Sequence, residues 1–457
     1  MKIIILGAGQ VGSSVASNLV SEDNDITVID IDQKVLHALS ERYDLQVVHG
    51  IASHPSVLAK AGANDADMII AVTNSDETNM IACQVAYTIF HTPTKIARVR
   101  NVEYLKSSAL FAQEALPIDV LISPEQIVTE YIERLINFPG ALQVLDFANG
   151  NAQMVALRVS ERNPLIGQQI RDLPKLVPNA DFRIVTLFRH GQGIIPDGDT
   201  AINQDDELFV IASPKHIRVL LKTIRLKDRP IKRIMIAGGG NIGVRLASLL
   251  ENNYQVKLIE MSPERAQEAS ESLRHAIVLQ GDAADEELLN EENIDDTDVF
   301  CALTNADEAN IISCMLAKRL GARKVMSLIN RAAYVDLVQS DVIDIAISPQ
   351  QATIGSLLAH IRRGDVVVVH SLRRGAAEAI EAVAHGDTQS SNVVGRTIDR
   401  IHLPPETSIG AIVRGDEVIM AHHDTVIEAE DHVILLVADK RHVPEVERLF
   451  QVRVTFL

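Results

Sequence analysis

The sequence has no tryptophan, few aromatic residues and a strong excess of acidic over basic side chains. With aromatic residues at 4% of the chain, a surface on which nucleic-acid bases stack is not expected. The formal net charge of −18 has the wrong sign for a protein that neutralises phosphate groups. We therefore expect no nucleic-acid partner, and any contact with an anionic membrane surface should be made through a protein partner.

The cysteines and the hydrophobic runs argue against several further classes of protein. The three cysteines, Cys83, Cys301 and Cys314, form neither a disulfide framework nor the CxxC spacing of a zinc site. All three lie in apolar runs, which is typical of buried residues in a reducing cytoplasm. No stretch of about 18 apolar residues predicts a membrane-spanning helix. The N-terminal segment runs directly into a glycine motif and lacks a signal-peptide cleavage site.

The chain repeats itself at a nearly constant spacing. KIIILGAGQVG at 2–12 recurs as RIMIAGGGNIG at 233–243, and residues 67–83 recur at 298–314, both 231 residues later. ISPEQ at 122–126 recurs as ISPQQ 225 residues later, and Asp206 then matches Asp431. Matched segments in one order indicate a duplicated unit.

Each copy has two parts with different patterns. In the first part, the short apolar runs KIIIL, DITVID, LQVVHG, DMIIAVT and KIARVR alternate with helical periodicity, which predicts an α/β domain with a Rossmann-like, doubly wound parallel sheet. The second part has short strands and tight-turn signals, such as Arg-Gly-Asp at 414–416, which predict a small α+β domain. A charged linker at 225–233 joins the copies. The predicted domains are 1–140, 141–228, 229–365 and 366–457.

A glycine motif with nucleotide-binding spacing opens the first copy. Gly7-x-Gly9-x-x-Gly12 follows a strand and begins a helix. In this context the first glycine permits a tight turn, the second lets the backbone approach a pyrophosphate, and the third lets the helix pack closely. Asp30 ends the second strand, where a carboxylate accepts ribose hydroxyls and repels a 2′-phosphate, so NAD(H) is favoured over NADP(H). The alternative is a plain glycine turn beside a surface acid.

The second copy retains this motif in outline. Gly238, Gly240 and Gly243 have the same spacing, and Glu260 ends the second strand of that copy. We therefore predict a second site, whose ligand preference could differ.

Polar residues follow the fourth and fifth strands at the edge where ligands bind. Thr73-Asn74 and Thr304 could contact ribose or phosphate, or could cap the following helix, and the two roles are compatible. Arg98 could pair with a phosphate or be a solvated arginine. Its equivalent in the second copy is Leu328, so we predict weaker or different binding there.

Common catalytic motifs are missing from the sequence. There is no G-x-S-x-G elbow, no G-x-x-x-x-G-K-[ST] loop, no H-E-x-x-H and no Tyr-x-x-x-Lys pair. Hydride transfer also needs a domain that supplies a proton donor and a substrate clamp, whereas a strand-rich module of about 85 residues follows here. We predict a regulator with no catalytic residue and no metal site. The alternatives are an NAD(H)-dependent oxidoreductase of unknown substrate and a nucleotide-dependent scaffold for another transporter.

These segments together resemble the TrkA family, the peripheral NAD-binding components of bacterial Trk potassium uptake systems. The resemblance covers essentially all 457 residues, as two RCK-type nucleotide domains that are each followed by an RCK C-terminal domain. It implies a homo-oligomer, a tetramer giving a ring of eight RCK units, on the cytoplasmic face of the inner membrane. It also implies a potassium-translocating partner of the TrkH/TrkG type, which the ring gates in response to NAD(H), or to ATP or ADP at one or both sites. The most specific segments are KIIILGAGQVG, PIDVLISPEQ, FPGALQV, IMIAGGGNIG, TNADEANI, RAAYVDLVQ and ISPQQATI.

The resemblance also implies the nucleotide-binding residues, and the sequence itself indicates one helix of special interest. RCK domains often read Gly-Asp-Ala after the third strand, as at 281–283, but the first copy has Ile51 in the position of the acid. The helix over 124–138 has one apolar face and is predicted to be an element exchanged between subunits, a hinge, or a core helix. The implied nucleotide-binding residues are Gly7, Ala8, Gly9, Gln10, Val11, Asp30, Thr73, Asn74 and Arg98 in the first copy, and Gly238, Gly239, Gly240, Asn241, Ile242, Glu260 and Thr304 in the second.

Overall fold

The structure is a computed structural model that describes residues 1–20, 24–112, 114–161, 163–224, 230–331, 334–335, 338, 343–361, 365–372 and 376–452. Within these ranges, no helix is both long enough and apolar enough to cross a membrane. The chain divides into two compact units. Unit 1 is Met1–Ile127 with Pro349–His360, and unit 2 is Val128–Ser348 with the chain from Ile361 onward. Most of the predicted linker, 225–229, lies outside the described residues.

The sheet of unit 1 is parallel and six-stranded. Its strands are β1 Lys2–Leu6, β2 Asp25–Asp30, β3 Gln46–His49, β4 Met68–Ala71, β5 Thr94–Arg98 and β6 Val120–Ile122. The order is β3-β2-β1-β4-β5-β6, so the direction of strand addition reverses between β1 and β4. Leu6 pairs with Ile29 on one side and Ala71 on the other, which brings the carboxyl ends of three strands to one edge. A crevice at such a reversal is the usual ligand position in open α/β sheets.

Helices alternate with these strands along the chain. They are α1 Gln10–Val20, α2 Gln33–Arg42, α3 Pro55–Lys60, α4 Asp76–Val85 and α5 Val102–Lys106, and α6 Pro124–Asn137 follows β6. The side chain of Asp32 accepts the N–H of Lys34 and so caps α2, and Ser75 caps α4 in the same way. The predicted parallel fold is confirmed, but β6 adds a sixth strand that the apolar runs did not predict.

Unit 2 contains two five-stranded antiparallel sheets and the second parallel sheet. The first antiparallel sheet has β7 Ala141–Phe147, β8 Ala152–Arg158, β9 Phe182–Arg189, β10 Gln192–Ile194 and β11 Glu207–Ala212, in the order β10-β9-β11-β8-β7. Its helices are α7 Leu173–Leu176 and α8 Pro214–Ile224.

The second parallel sheet repeats the first. Its strands are β12 Arg233–Ala237, β13 Gln255–Glu260, β14 Ile277–Gln280, β15 Val299–Ala302, β16 Lys324–Leu328 and β17 Ile345–Ile347, in the order β14-β13-β12-β15-β16-β17. Its helices are α9 Asn241–Leu250, α10 Pro263–Ser272, α11 Glu286–Glu291 and α12 Asp307–Arg319, and α13 Pro349–Ile361 follows β17.

The second antiparallel sheet follows α13 along the chain. Its strands are β18 Val366–Leu372, β19 Ala377–Val383, β20 Thr407–Arg414, β21 Glu417–Met420 and β22 His432–Val437, in the order β18-β19-β22-β20-β21, and α14 Val443–Phe450 follows. The predicted hairpin turn at Gly415 is confirmed, with a φ of +58°. Both antiparallel sheets bury residues such as Phe147, Phe209 and Ile434 in one hydrophobic core.

The helices that follow β6 and β17 are exchanged between the two copies. From Val128 onward α6 belongs to unit 2, where the hydroxyl of Tyr254 donates to Asn137 at 3.0 Å. Residues Pro349–His360 of α13 belong instead to unit 1. The apolar face predicted for α6 is confirmed, since Val128, Ile132 and Leu135 are all 0% exposed. The exchange occurs within one chain, and an exchange between subunits stays a prediction.

Candidate functional site

The loop after β1 is shaped by its glycines. Gly7 has a φ of +102°, a left-handed conformation, and a Cβ there would lie 3.0 Å from the backbone of Thr73. A Cβ on Gly12 would lie only 1.8 Å from the carbonyl oxygen of Gly7, so α1 packs against the loop at a distance that only glycine allows. A Cβ on Gly9 would meet nothing within 4 Å. The conformational roles predicted for Gly7 and Gly12 are confirmed.

The first turn of α1 opens directly from this loop. The first N–H groups of an α-helix have no partners within the helix and carry a partial positive charge. Gly9 and Gln10 are exposed and Val11 is half-buried, so this end of the helix is accessible. The arrangement is suited to an anion such as a pyrophosphate.

The carboxylate of Asp30 is anchored to the loop. Its Oδ2 accepts the N–H of Ala8 at 2.6 Å, and its Oδ1 accepts the N–H of Asp32 at 2.8 Å. Each carboxylate oxygen has a second lone pair, so a half-buried Asp30 can still accept a ribose hydroxyl.

Thr73 is held by a side chain that the sequence reading missed. Its hydroxyl donates to Oδ1 of Asn79 at 2.7 Å, and the fully buried Asn79 amide donates to the carbonyl of Arg98 at 2.9 Å. Capping by Thr73-Asn74 was wrong, because the cap of α4 is Ser75, whose hydroxyl accepts the N–H of Thr78. Asn79 therefore ties the ends of β4 and β5 together behind the exposed Asn74.

Two arginines lie at the end of β5, Arg98 as its last residue and Arg100 two residues beyond, although only Arg98 was predicted. Arg98 is half-buried and donates through Nη2 to the carbonyl of Thr73 at 2.6 Å, so it is not a solvated surface residue. Its Nε is buried without a hydrogen-bond partner in the described part of the chain. Burial, together with the nearby charge of Arg100, lowers the pKa of Arg98. Arg100 contacts the carbonyl of Asn74 and pairs with the buried Asp76. Two positive charges therefore lie at this edge of the sheet, and that of Arg100 is paired with Asp76.

The second copy repeats the glycine loop, with Gly239 in the position of Ala8. Gly238 has a φ of +110°, and a Cβ on Gly243 would lie 1.9 Å from the carbonyl oxygen of Gly238. Asn310 holds the hydroxyl of Thr304 at 2.6 Å, as Asn79 holds that of Thr73. Thr304 does not cap α12, whose cap position is Ala306. Asn241 is exposed and Ile242 half-buried at the start of α9.

The acid of the second copy is longer and more deeply buried. Glu260 is 9% exposed, and its Oε2 accepts the N–H of Gly239 at 2.6 Å. A Cβ on Gly239 would lie 3.0 Å from that oxygen. In each copy the residue after the first glycine packs against the acid. The shorter Asp30 leaves room for the methyl group of Ala8, whereas the longer Glu260 requires Gly239.

We expect Gly239→Ala to lower stability by about 1–3 kcal/mol, since the new methyl group overpacks against Glu260. The double variant Gly239→Ala/Glu260→Asp copies the first site and should recover most of the loss. Urea denaturation of the single and double variants measures both effects. A double variant no more stable than Gly239→Ala would contradict this account.

In the part of the chain that the structure describes, no group of three or more His, Cys, Asp or Glu side chains is arranged to hold a metal ion. The three cysteines are buried and free, and burial raises the pKa of Cys83 and Cys301 to about 12. Neither thiol therefore supplies a thiolate nucleophile at neutral pH.

The chain matches known families along most of its length. The TrkA-N domain matches residues 3–124 and 234–349, and the TrkA-C domain matches 154–225 and 388–451. The Trk system potassium uptake protein TrkA of Halomonas elongata is 60% identical over 456 residues, which is 100% of both chains. The chain belongs to the TrkA family. TrkA proteins of Vibrio alginolyticus and Haemophilus influenzae are 58% and 50% identical, again over 100% of both chains.

Solved structures of more distant proteins share the fold of this TrkA-family chain. The crystal structure of the GsuK RCK domain aligns with a TM-score of 0.61 at 20% identity, covering 98% of this chain and 94% of that one. The GsuK channel bound to NAD aligns with a TM-score of 0.61 at 19% identity, over 98% of this chain and 78% of that one. The predicted pairing of nucleotide-type and C-terminal RCK domains is confirmed at the level of the fold.

Proposed function

We propose that this chain is a cytoplasmic regulatory subunit of a Trk-type potassium uptake system and controls a potassium-translocating membrane subunit of the TrkH/TrkG type. It does so by binding NAD(H), or ATP or ADP, in its two glycine-loop sites. The observation that carries the proposal is the repeated arrangement of an open glycine loop, a helix N-terminus and a carboxylate bonded to the loop. Full-length relatives that carry the name of potassium uptake proteins support the physiological role.

The proposed ligand contacts differ between the copies. In the first copy, the N–H groups of Gly9 to Val11 would hold the pyrophosphate and Asp30 a ribose. Arg98 would add a positive charge next to the phosphates. The Nε of Arg98 supports this role, because it is buried and has no hydrogen-bond partner in the described chain. In the second copy, Gly240 to Ile242 and Glu260 would take the equivalent roles, with Leu328 replacing the arginine.

The proposed assembly is a homo-oligomer, a tetramer with a ring of eight RCK units on the cytoplasmic face of the inner membrane. Its domains would be 1–140, 141–228, 229–365 and 366–457. The nucleotide shifts the ring between states only if it binds one state better than the other, and a difference of about 1–3 kcal/mol is typical of such coupling. The role is regulatory, so we propose no catalytic residue.

The test combines binding and transport with one set of variants. Asp30→Ala should weaken NADH binding to the first site about tenfold or more, because a charged hydrogen-bond acceptor contributes about 1.5–3 kcal/mol. Calorimetry measures the affinity, and Asp44→Ala, an exposed acid of the same unit, is the matched control. NADH binding that is indifferent to both Asp30 and Glu260 would reject the proposed sites.

The same proteins are then reconstituted with the membrane subunit in potassium-loaded vesicles. Nucleotide should change potassium flux with the unmodified chain and should have no effect with Asp30→Ala/Glu260→Ala. A flux that is unaffected by the unmodified chain, with or without nucleotide, would reject the regulatory role.

A further inference from the structure

A glutamine from the second copy contacts the glycine-loop helix of the first. Gln350 is the second residue of α13, whose residues Pro349–His360 belong to unit 1. Its Nε2 donates to the carbonyl oxygen of Gln10 at 3.0 Å and also contacts the hydroxyl oxygen of Ser14. One side-chain amide thus bridges two residues of the first turn of α1.

That turn is itself tied to the glycine loop. The hydroxyl of Ser13 donates to the carbonyl of Ala8 at 2.6 Å, and its N–H donates to the carbonyl of Gly9 at 2.9 Å. Ala8 in turn donates its N–H to Asp30. A displacement of the first turn of α1 therefore changes the position of the loop amides and of the acid.

Gln350 is also close in sequence to the second sheet. The last strand of that sheet, β17, ends at Ile347, and the single residue Ser348 precedes α13. β17 pairs with β16 through Met326 to Leu328, at the carboxyl edge of the sheet. The chain therefore runs from the ligand edge of the second sheet to the amide of Gln350 in three residues.

The two copies differ at this position. Ser123-Pro124-Glu125 in the first copy corresponds to Ser348-Pro349-Gln350 in the second. An amide can donate to a backbone carbonyl, whereas an ionised carboxylate can only accept. The contact with Gln10 therefore requires a hydrogen-bond donor, which Gln350 supplies and an ionised glutamate at this position would not.

We propose that Gln350 is a positioning residue of the first nucleotide site and links that site to the second copy. This inference rests on the proposed function. Nucleotide phosphates at the start of α1 favour the position of the first turn that Gln350 holds, so binding and the contact strengthen each other. Movement of β17 and α13 would change the affinity of the first site through this amide.

The test compares variants that separate hydrogen bonding from packing. Gln350→Met keeps the length of the side chain but has no donor, and Gln350→Lys keeps a donor. In calorimetry with NADH, we expect Gln350→Met to weaken the Asp30-dependent site about threefold to tenfold, and Gln350→Lys to retain most of the affinity. Glu260-dependent binding should be unchanged. Ser356→Ala, a half-buried position on the same helix, is the matched control and should bind like the unmodified chain.

A second readout is hydrogen exchange of the first turn of α1. Gln350→Met should exchange faster at residues 10–14 and lose the protection that NADH gives them in the unmodified chain. If NADH binds the unmodified chain but Gln350→Met binds equally well, the proposed function stands and the role of Gln350 is rejected. If Gln350→Met and Gln350→Lys lose affinity equally, packing accounts for the effect and the role is also rejected. Absence of NADH binding to the unmodified chain would reject the first site and this inference with it.

Discussion

Gly12→Ala is expected to destabilise the first nucleotide domain strongly, whereas Gly9→Ala is expected to leave its stability nearly unchanged. A Cβ on Gly12 would lie 1.8 Å from the carbonyl oxygen of Gly7, and neither atom can move away without a shift of the backbone. Overpacking costs typically about 1–3 kcal/mol and occasionally more, and we expect about 3 kcal/mol or more here. That is a large fraction of the roughly 5–15 kcal/mol that stabilises a domain. Urea denaturation followed by circular dichroism measures the loss.

Gly9→Ala is the matched control for this prediction. A Cβ there has no neighbour within 4 Å, so stability should change by less than about 0.5 kcal/mol. The methyl group would nevertheless stand where a pyrophosphate approaches the loop, so NADH binding should be lost. In the second copy Gly243→Ala and Gly240→Ala should behave in the same way. Equal stability of Gly12→Ala and Gly9→Ala would show that the loop relaxes, and would contradict the account of the motif.

Local patterns predicted the parallel sheets because their strands are buried on both faces. The run KIIIL has four residues that are at most 2% exposed, and such runs bounded by glycine are recognisable without a structure. β6 and β17 have only three residues each, which is too short for any periodicity. The tight approach of Gly12 to Gly7 also followed from the motif, since the spacing itself implies it.

Ion pairs were less predictable, because the two copies pair equivalent aspartates with lysines from different positions in the sequence. In the first copy, Asp119 pairs at 2.8 Å with Lys95, a residue of β5. The register places Val325 at the position of Lys95 in the second copy. There the ammonium comes from Lys318 of α12, which lies 2.7 Å from Asp344. Aligning the repeats would have predicted an unpaired carboxylate.

The exchange of α6 and α13 within one chain could not be read from the sequence, which suggested only an exchange of the helix over 124–138 between subunits. A helix with an apolar face can pack on either of two similar sheets, and the covalent connection permits both. The repeat therefore does not predict the contact of Gln350 with Gln10, more than 300 residues earlier. Arg100 was not predicted for a different reason, since it lies two residues beyond the end of β5.

Arg189→Met is expected to destabilise unit 2 by about 3–5 kcal/mol at neutral pH. The side chain of Asp206 is 0% exposed and accepts hydrogen bonds from Arg189 at 2.9 and 2.8 Å, and from the N–H of Asn203. Removing the arginine leaves a buried carboxylate without its countercharge, which typically costs this amount. Arg158→Met is the matched control, because the Arg158–Glu207 pair of the same sheet is more exposed and should contribute at most about 1 kcal/mol.

The pH dependence distinguishes loss of charge pairing from loss of packing. Burial alone would raise the pKa of Asp206, but Arg189 and the N–H of Asn203 outweigh it and hold the pKa below its usual value. Asp206 therefore stabilises the native chain above its unfolded pKa of about 3.9, and this stability is lost as the pH falls through the lower folded pKa. Without Arg189 the pKa of Asp206 should instead rise, because burial then dominates.

It follows that the penalty of Arg189→Met should shrink as the pH is lowered toward about 4, because a protonated Asp206 needs no countercharge. Asp206→Asn in the Arg189→Met background should likewise recover much of the lost stability at pH 7. If the loss came from missing packing contacts of Arg189, neither the lower pH nor Asp206→Asn would reduce it. Urea denaturation at pH 7 and pH 4.5 measures both. A penalty that is the same at the two pH values, and is not relieved by Asp206→Asn, would show that the aliphatic part of Arg189 and not its charge supports the sheet. Arg414 and Asp431 repeat the pair at 2.8 Å in the other antiparallel sheet, and the side chain of Asp431 is also 0% exposed, so Arg414→Met should likewise lower stability at neutral pH.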